Sequence, residues 1–293
     1  MAGMETVEQA RRALGGTGVW VNVLQQEPAA AQRAAVARIE ELGYGSVWTG
    51  EVVGGNDVFA QEAVWLAATS RIAAGTGIAN IWARHPGTAR AAAALLGDAW
   101  PGRFLLGLGV SHAPMVEHYD KPLRRMREYL DGLGDPPPGV PVVLAALRPR
   151  MLELARERAG GAHTYFVSPE HTAGARAVLG PDRLLIPEQA VVLEADPAAA
   201  RATAREHTAR YLQLPNYVNN LKELGFTGED LTGAGSDRLV DAIVAWGTPE
   251  AIAQRVRAHR DAGADHVLVQ PLGGGAAGAL RQLEALAPLL TGG

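Results

Sequence analysis

The chain contains no cysteine. That excludes a disulfide, a thiolate nucleophile and a thiolate metal site, although it does not fix a compartment. Lysine is nearly as scarce, with Lys121 and Lys222 the exceptions among 27 basic residues. Together with abundant alanine, this is a bias that a GC-rich genome produces without reference to function. The net charge of -4 offers no general attraction for nucleic acid or an anionic membrane, so neither is expected as a partner. No apolar window reaches the length of a membrane span, and the start, M-A-G-M-E-T-V-E-Q-A-R-R, has acids and no apolar signal-peptide core. A cytoplasmic location is the expectation. Several motifs are missing too. There is no H-E-x-x-H or paired carboxylate-histidine spacing, so no metal is expected, and no G-x-S-x-G nucleophile turn. No G-x-G-x-x-G opens a helix near the start; G-L-G-V-S-H, residues 107–112, comes nearest and lacks the third glycine.

What is present is a strand-helix alternation in a globular composition, 47% apolar and 20% charged. After a short polar helix ending at Gly15-Gly16, strands are expected at Val19–Val23, 46–51, from Arg71, 103–110, 141–147, 161–167, 184–193 and 266–272. Helices separate them. Val36, Ile39 and Leu42 lie on one face of the first, which Gly43 ends, and Leu123, Met126, Leu130 and Leu133 mark a later one. The Pro/Gly stretch Gly134–Pro141 reads as a loop that keeps the repeat in phase. Eight such units imply parallel pairing and closure into a (β/α)8 TIM barrel, with an open doubly wound sheet as the structural alternative. At 293 residues the chain suits one domain spanning 1–293, with 1–17 as an N-terminal extension. About fifty residues between the seventh strand and the final helix exceed what one helix needs. The region of about 205–240 is therefore expected as an insertion, either a lid over the carboxyl face or a helical hairpin that only packs.

Barrel enzymes draw their chemistry from the carboxyl ends of the strands. The polar residues expected there are Asn22, Glu51, Asn80, His112, Tyr165 and Glu188, with His85 and His163 as weaker candidates. A histidine with an ordinary pKa near 6.5 serves as acid or base at neutral pH, which favours His112. Gly75 and Gly77 interrupt the third strand, as glycines do at a bulge or a close backbone approach to a ligand. At A-A-L-R-P-R-M, Pro149 suits the first helical position, and free amides beside Arg148 and Arg150 form an anion site.

The run G-T-G-I-A-N-I, followed by R-H-P, resembles the third strand of the bacterial luciferase-like superfamily, in particular its coenzyme F-420-dependent branch. G-Y-G-S-V-W-T-G-E-V-V-G, W-P-G-R-F-L-L-G-L-G-V-S-H, and G-T-P-E-A-I-A-Q-R-V with G-A-D-H-V resemble it in the same order, and the likeness covers Gly18 to Leu272. The resemblance implies a luciferase-like barrel in which a cis peptide at Gly77-Ile78 backs a deazaflavin ring. It implies cofactor contacts at Glu51, Gly77, Ile78, Asn80, Ser111, Leu147, Arg148, Arg150 and Met151. Asn22, Tyr165 and Tyr217 would face the substrate, and His112 and Glu51 would carry proton transfer. Two departures stand out: Glu51-Val52 replaces the usual Asp-His pair, and Leu147-Arg148 replaces a more glycine-rich phosphate junction. The expected function is a homodimeric oxidoreductase moving a hydride between C5 of coenzyme F-420 and a small organic substrate. Two alternatives remain: a monooxygenase using flavin mononucleotide (FMN) and a partner reductase, and a flavin-binding relative without turnover.

Overall fold

A computed structural model describes residues 2–51, 55–116 and 119–292, so Val52 lies outside the described residues. The strands are β1 (Thr17–Trp20), β2 (Ser46–Thr49), β3 (Ala73–Thr76), β4 (Ala79–Asn80), β5 (Phe104–Gly109), β6 (Val142–Ala145), β7 (Gly161–Thr164), β8 (Leu184–Val192), β9 (Val244–Trp246) and β10 (Val267–Pro271). The helices are α1 (Ala2–Leu14), α2 (Ala29–Glu41), α3 (Val58–Ala67), α4 (Pro86–Ala99), α5 (Pro122–Leu133), α6 (Pro149–Arg158), α7 (Pro169–Leu179), α8 (Pro197–Tyr211), α9 (Pro215–Glu223), α10 (Asp237–Ile243), α11 (Pro249–Asp261) and α12 (Gly275–Leu290). Proline opens seven of these helices near the first position, where its missing N–H has no intrahelical partner to lose. Asp196 and Thr248 also cap two of these, α8 and α11, by accepting a backbone N–H, and Asp57 and Ser236 cap α3 and α10 in the same way.

All strand pairs are parallel, and β10 pairs with both β1 and β8, so the sheet closes into the expected (β/α)8 barrel. Alternation along the strands divides the core. Val19, Val47, Ala74, Leu106, Leu185 and Val269 join the helices in an outer cluster. Trp20, Trp48, Leu105, Val143, Ile186 and Leu268 form a second cluster with Val7, Ala10 and Leu14 of α1. The N-terminal helix is therefore no polar appendage; its apolar stripe joins the interior residues of the barrel.

Several boundaries differ from expectation. The first strand ends at Trp20 rather than Val23, and Asn22–Gln26 forms a 3-10 turn. Its turn is held by Asn22, whose Oδ1 accepts from Gly50 N at 2.9 Å and Thr49 Oγ1 at 3.1 Å. The third strand breaks after Thr76 and resumes as β4. Thr76 Oγ1 donates to Gly107 O and accepts from Gly107 N, replacing ladder bonds at the break. The insertion is longer than about 205–240. It runs from α8 through α10, adds the unexpected β9 at the end of β8, and forms a cluster of its own with Phe166 and Val167. α12 completes the eighth unit, an element the strand-helix reading had not assigned.

Glycines in this region make room for rings. A Cβ on Gly75 would sit 2.4 Å from the Trp48 ring, and one on Gly77 would sit 2.2 Å from Trp20. Gly109 is vacated in the same way for the Ile78 side chain, at 2.7 Å. At Gly75 the close approach is thus to a neighbouring strand's tryptophan. Gly77→Ala is expected to displace Trp20 and lower stability by about 1–3 kcal/mol, as overpacking does. A thermal midpoint equal to that of the wild type would show that the ring is not confined there.

Candidate functional site

A cavity of about 250 Å³ opens at the carboxyl ends of the strands. Trp20 and Asn22 wall it from the first unit, Gly50 and Glu51 from the second, and Gly77 and Ile78 from the break in the third. Val110, Ser111 and His112 follow β5, Ala145 ends β6 with Ala146 and Leu147 after it, and His163 lies in β7 with Tyr165 just beyond. The insertion closes it with Tyr211, Leu214, Asn216 and Tyr217. The structure thus brings together Asn22, Glu51, Gly77, Ile78, Ser111, His112, Leu147, Tyr165 and Tyr217 from the expected set. It places Asn80, Arg148, Arg150 and Met151 outside this wall. The Gly77-Ile78 peptide is cis, as the resemblance implied.

The polar groups differ in how free they are. Glu51 accepts from Asn80 N at 2.7 Å and from Arg84 Nη1 at 2.7 Å, and Arg84 also holds Asp57. Both Glu51 oxygens are therefore engaged, since Arg84 Nη2 bonds the second. Asn80 is buried, with its Oδ1 accepting from Trp82 N. Arg148 stands at the N-cap position of α6 and its side chain pairs with Glu223 of α9; Arg150 is exposed, and Met151 packs against the outer core. His85 caps α4 by accepting from Gly87 N.

His112 stands at the cavity wall with its ring 5.2 Å from that of Tyr217. Burial lowers its pKa, because the charged imidazolium loses solvation, so the neutral ring dominates at pH 7. Ser111, immediately before it, has a left-handed backbone with φ 56°. At the cavity wall, Tyr211 donates to the Tyr165 hydroxyl at 2.9 Å, and Tyr165 donates to Gln270 Oε1 at 2.7 Å. Phe166 stacks on Tyr211 and meets Tyr217 edge-on. Glu188 lies buried beside them, accepting from Phe166 N with one oxygen and leaving Oε1 without a partner. Burial pushes its pKa up to about 8, so it is mostly the neutral acid at pH 7.

Trp20, Tyr211 and Asn216 were missed as site residues by the strand-end reading. Trp20 sits in an apolar strand run, and Tyr211 and Asn216 lie in a segment whose position over the barrel no local pattern reveals. Among the described residues, no group of three or more His, Asp or Glu is placed to hold a metal ion, and no helix is long and apolar enough to cross a membrane.

The family model described as luciferase-like monooxygenase matches residues 11–134 and 132–266. The chain belongs to this family. Within it, the chain is 39% identical over 101 residues to a Mycobacterium tuberculosis protein described, by inference, as a coenzyme F-420-dependent oxidoreductase. That match spans 33% of this chain and only 29% of the relative's length. It is 24% identical over 290 residues to 5,10-methylenetetrahydromethanopterin reductase of Archaeoglobus fulgidus, covering 80% of this chain and 87% of that one. Among solved structures, an F-420-dependent secondary alcohol dehydrogenase in complex with an F-420-acetone adduct superposes with a TM-score of 0.74. At 15% identity, covering 94% of this chain and 99% of the other, that likeness speaks to the luciferase-like barrel alone.

Proposed function

We propose that this luciferase-like protein is an oxidoreductase that uses coenzyme F-420 to move a hydride to or from a small organic substrate. The observation that carries the reading is the convergence of Gly77-Ile78, Ser111-His112 and Leu147, from three separate strand ends, on one cavity. The description of the Mycobacterium tuberculosis relative names the same cofactor, and that of the Archaeoglobus fulgidus relative names a reductase. The residues fit a flat heteroaromatic ring: Ile78, Val110, Ala145, Ala146 and Leu147 supply apolar wall, while Trp20 Nε1 and His163 Nε2 are buried polar atoms without partners. The coenzyme supplies the hydride chemistry when bound. Ile78 and Leu147 would hold its ring, and Arg148 and Arg150 at the start of α6 would meet its phosphate, with Arg148 leaving Glu223 to do so. His112 would hold or accept the substrate's proton, and Tyr217 beside it would limit access of water. Glu51, already bound by Arg84 and Asn80 N, would position the loop after β2.

The family description favours a second reading, an FMN-dependent monooxygenase, because that cofactor also presents a ring and a phosphate. A fluorescence titration separates the two. F-420 is expected to bind more tightly than FMN; equal or reversed affinities would transfer the assignment to the monooxygenase.

A further inference from the structure

Beside the site already described lies a second chamber of about 320 Å³, between α8 and the glycine-rich turn that follows β10. Asn22 and Tyr211 line both spaces, so the two meet at these residues. Both side chains are held in place. Asn22 is fixed by the Gly50 N–H and the Thr49 hydroxyl, and Tyr211 by its hydrogen bond to Tyr165.

The bonds made by Asn22 settle which end of its amide is free. A backbone N–H only donates, so the atom that Gly50 N reaches at 2.9 Å is the oxygen. The nitrogen, Nδ2, has no partner among the described residues, and it is not sealed, because Asn22 is half-buried on the chamber wall. Arg210 supplies charge to the same wall. Its guanidinium is exposed and makes no ion pair among the described residues, whereas Arg201 and Arg205 of the same helix are both held by Asp237. Glu206 stands four residues before Arg210, a spacing at which helical pairs form, yet no bond joins the two. His207, nine-tenths buried, also lines the chamber; its Nδ1 has no partner and, unlike Nε2, is not sealed.

Three side chains with unmet hydrogen bonds therefore border one accessible space. Asn22 Nδ2 and Arg210 only donate, so a group that only accepts satisfies both, and a negative charge on it offsets the guanidinium. The start of α6, with Arg148 and Arg150, follows β6, which stands opposite β1 in the closed sheet. The chamber is thus separate from the place assigned to the cofactor's phosphate.

We propose that this side chamber binds an oxyanion, a carboxylate or phosphate group, on Asn22 Nδ2 and Arg210. Two sources carry that chemistry: a charged group at the far end of the substrate, and a separate small anion beside it.

The test uses the intact protein without F-420, so its outcome is independent of the cofactor assignment. Protein labelled with 15N-asparagine and 15N-histidine is titrated with sodium acetate and with sodium phosphate at constant ionic strength. The Asn22 side-chain amide is assigned by its loss in Asn22→Asp, which keeps an acceptor for Gly50 N and Thr49 and so keeps the turn. A saturable shift of that amide is expected with at least one of the two anions. Arg210→Gln should weaken the binding by roughly tenfold or more, the cost of one hydrogen bond to a charged group. Arg210→Lys should keep most of the affinity, and Glu206→Gln should raise it. A hydroxy acid, 4-hydroxypentanoate, separates the sources. If the substrate carries the anion, this probe binds more tightly than acetate and moves the His112 signals, assigned by their loss in His112→Ala, along with Asn22; if the anion is separate, it moves Asn22 alone. No shift of Asn22 with either acetate or phosphate, or a shift whose affinity is unchanged in Arg210→Gln, overturns the proposal.

Discussion

Replacing His112 with alanine is expected to lower turnover by about 100- to 10,000-fold while leaving cofactor affinity close to that of the wild type, the usual signature of a lost acid-base group. His112 lies on the cavity wall between Ser111 and Met115 and against the Tyr217 ring. The other histidines are less suited: His85 caps α4, His171 bonds the Leu147 carbonyl, and His266 bridges Ser46 and Gly15. Glu51 is held by Arg84. The pH dependence follows from burial of the ring. A depressed pKa favours the neutral imidazole, which is the form that accepts a proton when an alcohol is oxidised. Activity in that direction should therefore rise with pH through a midpoint below the ordinary value of about 6.5, and His112→Ala should abolish that limb. Ketone reduction should show the opposite slope, since it needs the protonated ring. A panel of alcohols, ketones and enones supplies the assay. Wild-type turnover in His112→Ala would move the proton source to solvent or to the inserted segment around Tyr217.

The second large effect is on stability. Five buried histidines have pKa values pushed down by desolvation, to about 4 for His163 and His266, to about 3 for His207 and His259, and in the same direction for His171. Their stabilisation is complete above the unfolded value of about 6.5 and is lost as pH falls toward the folded values. Glu62 and Glu188 run the other way: burial raises both, Glu188 to about 8, so their stabilisation is present below about 4.5 and is lost as pH rises. Between about pH 4.5 and 6.5, the histidines favour the folded state as pH rises and the two carboxyls oppose it, and the histidines are the more numerous. Stability should therefore climb with pH across this window. Above about 6.5 only the carboxyls remain, and stability falls as pH approaches the Glu188 value of about 8. The thermal midpoint should therefore peak near pH 6.5. Glu188→Gln should lift the alkaline limb, by about 1.4 kcal/mol for each pH unit above about 4.5. A midpoint that stays level from pH 5 to 8 would contradict the balance of buried groups described here.

Much of the architecture was legible in the residues because it is written locally. Proline at helix starts, Gly43 after α2, and apolar runs alternating with helical faces specify strands and helices from near neighbours, and parallel closure follows from their repetition. The site was legible where it coincided with a strand end, as at Asn22, Glu51, Ser111-His112 and Tyr165, and where the family resemblance reached it, as at Gly77, Ile78, Leu147 and Tyr217. Which of those groups is free was decided by tertiary contacts. Glu51 resembles a reactive carboxylate until Arg84 and the Asn80 amide engage it, and Arg148 resembles an open phosphate contact until Glu223 reaches it. The stacking of Trp20 on His163 required the barrel to close. A strand's side chains alternate in direction whatever their chemistry, and only closure brings β1 against β7 across the interior, stacking one unpartnered ring nitrogen beside another. The insertion is the extreme case: its length signalled a departure from the repeat, but Tyr211 and Tyr217 became cavity walls through packing on Phe166, a long-range contact that no spacing in the chain specifies.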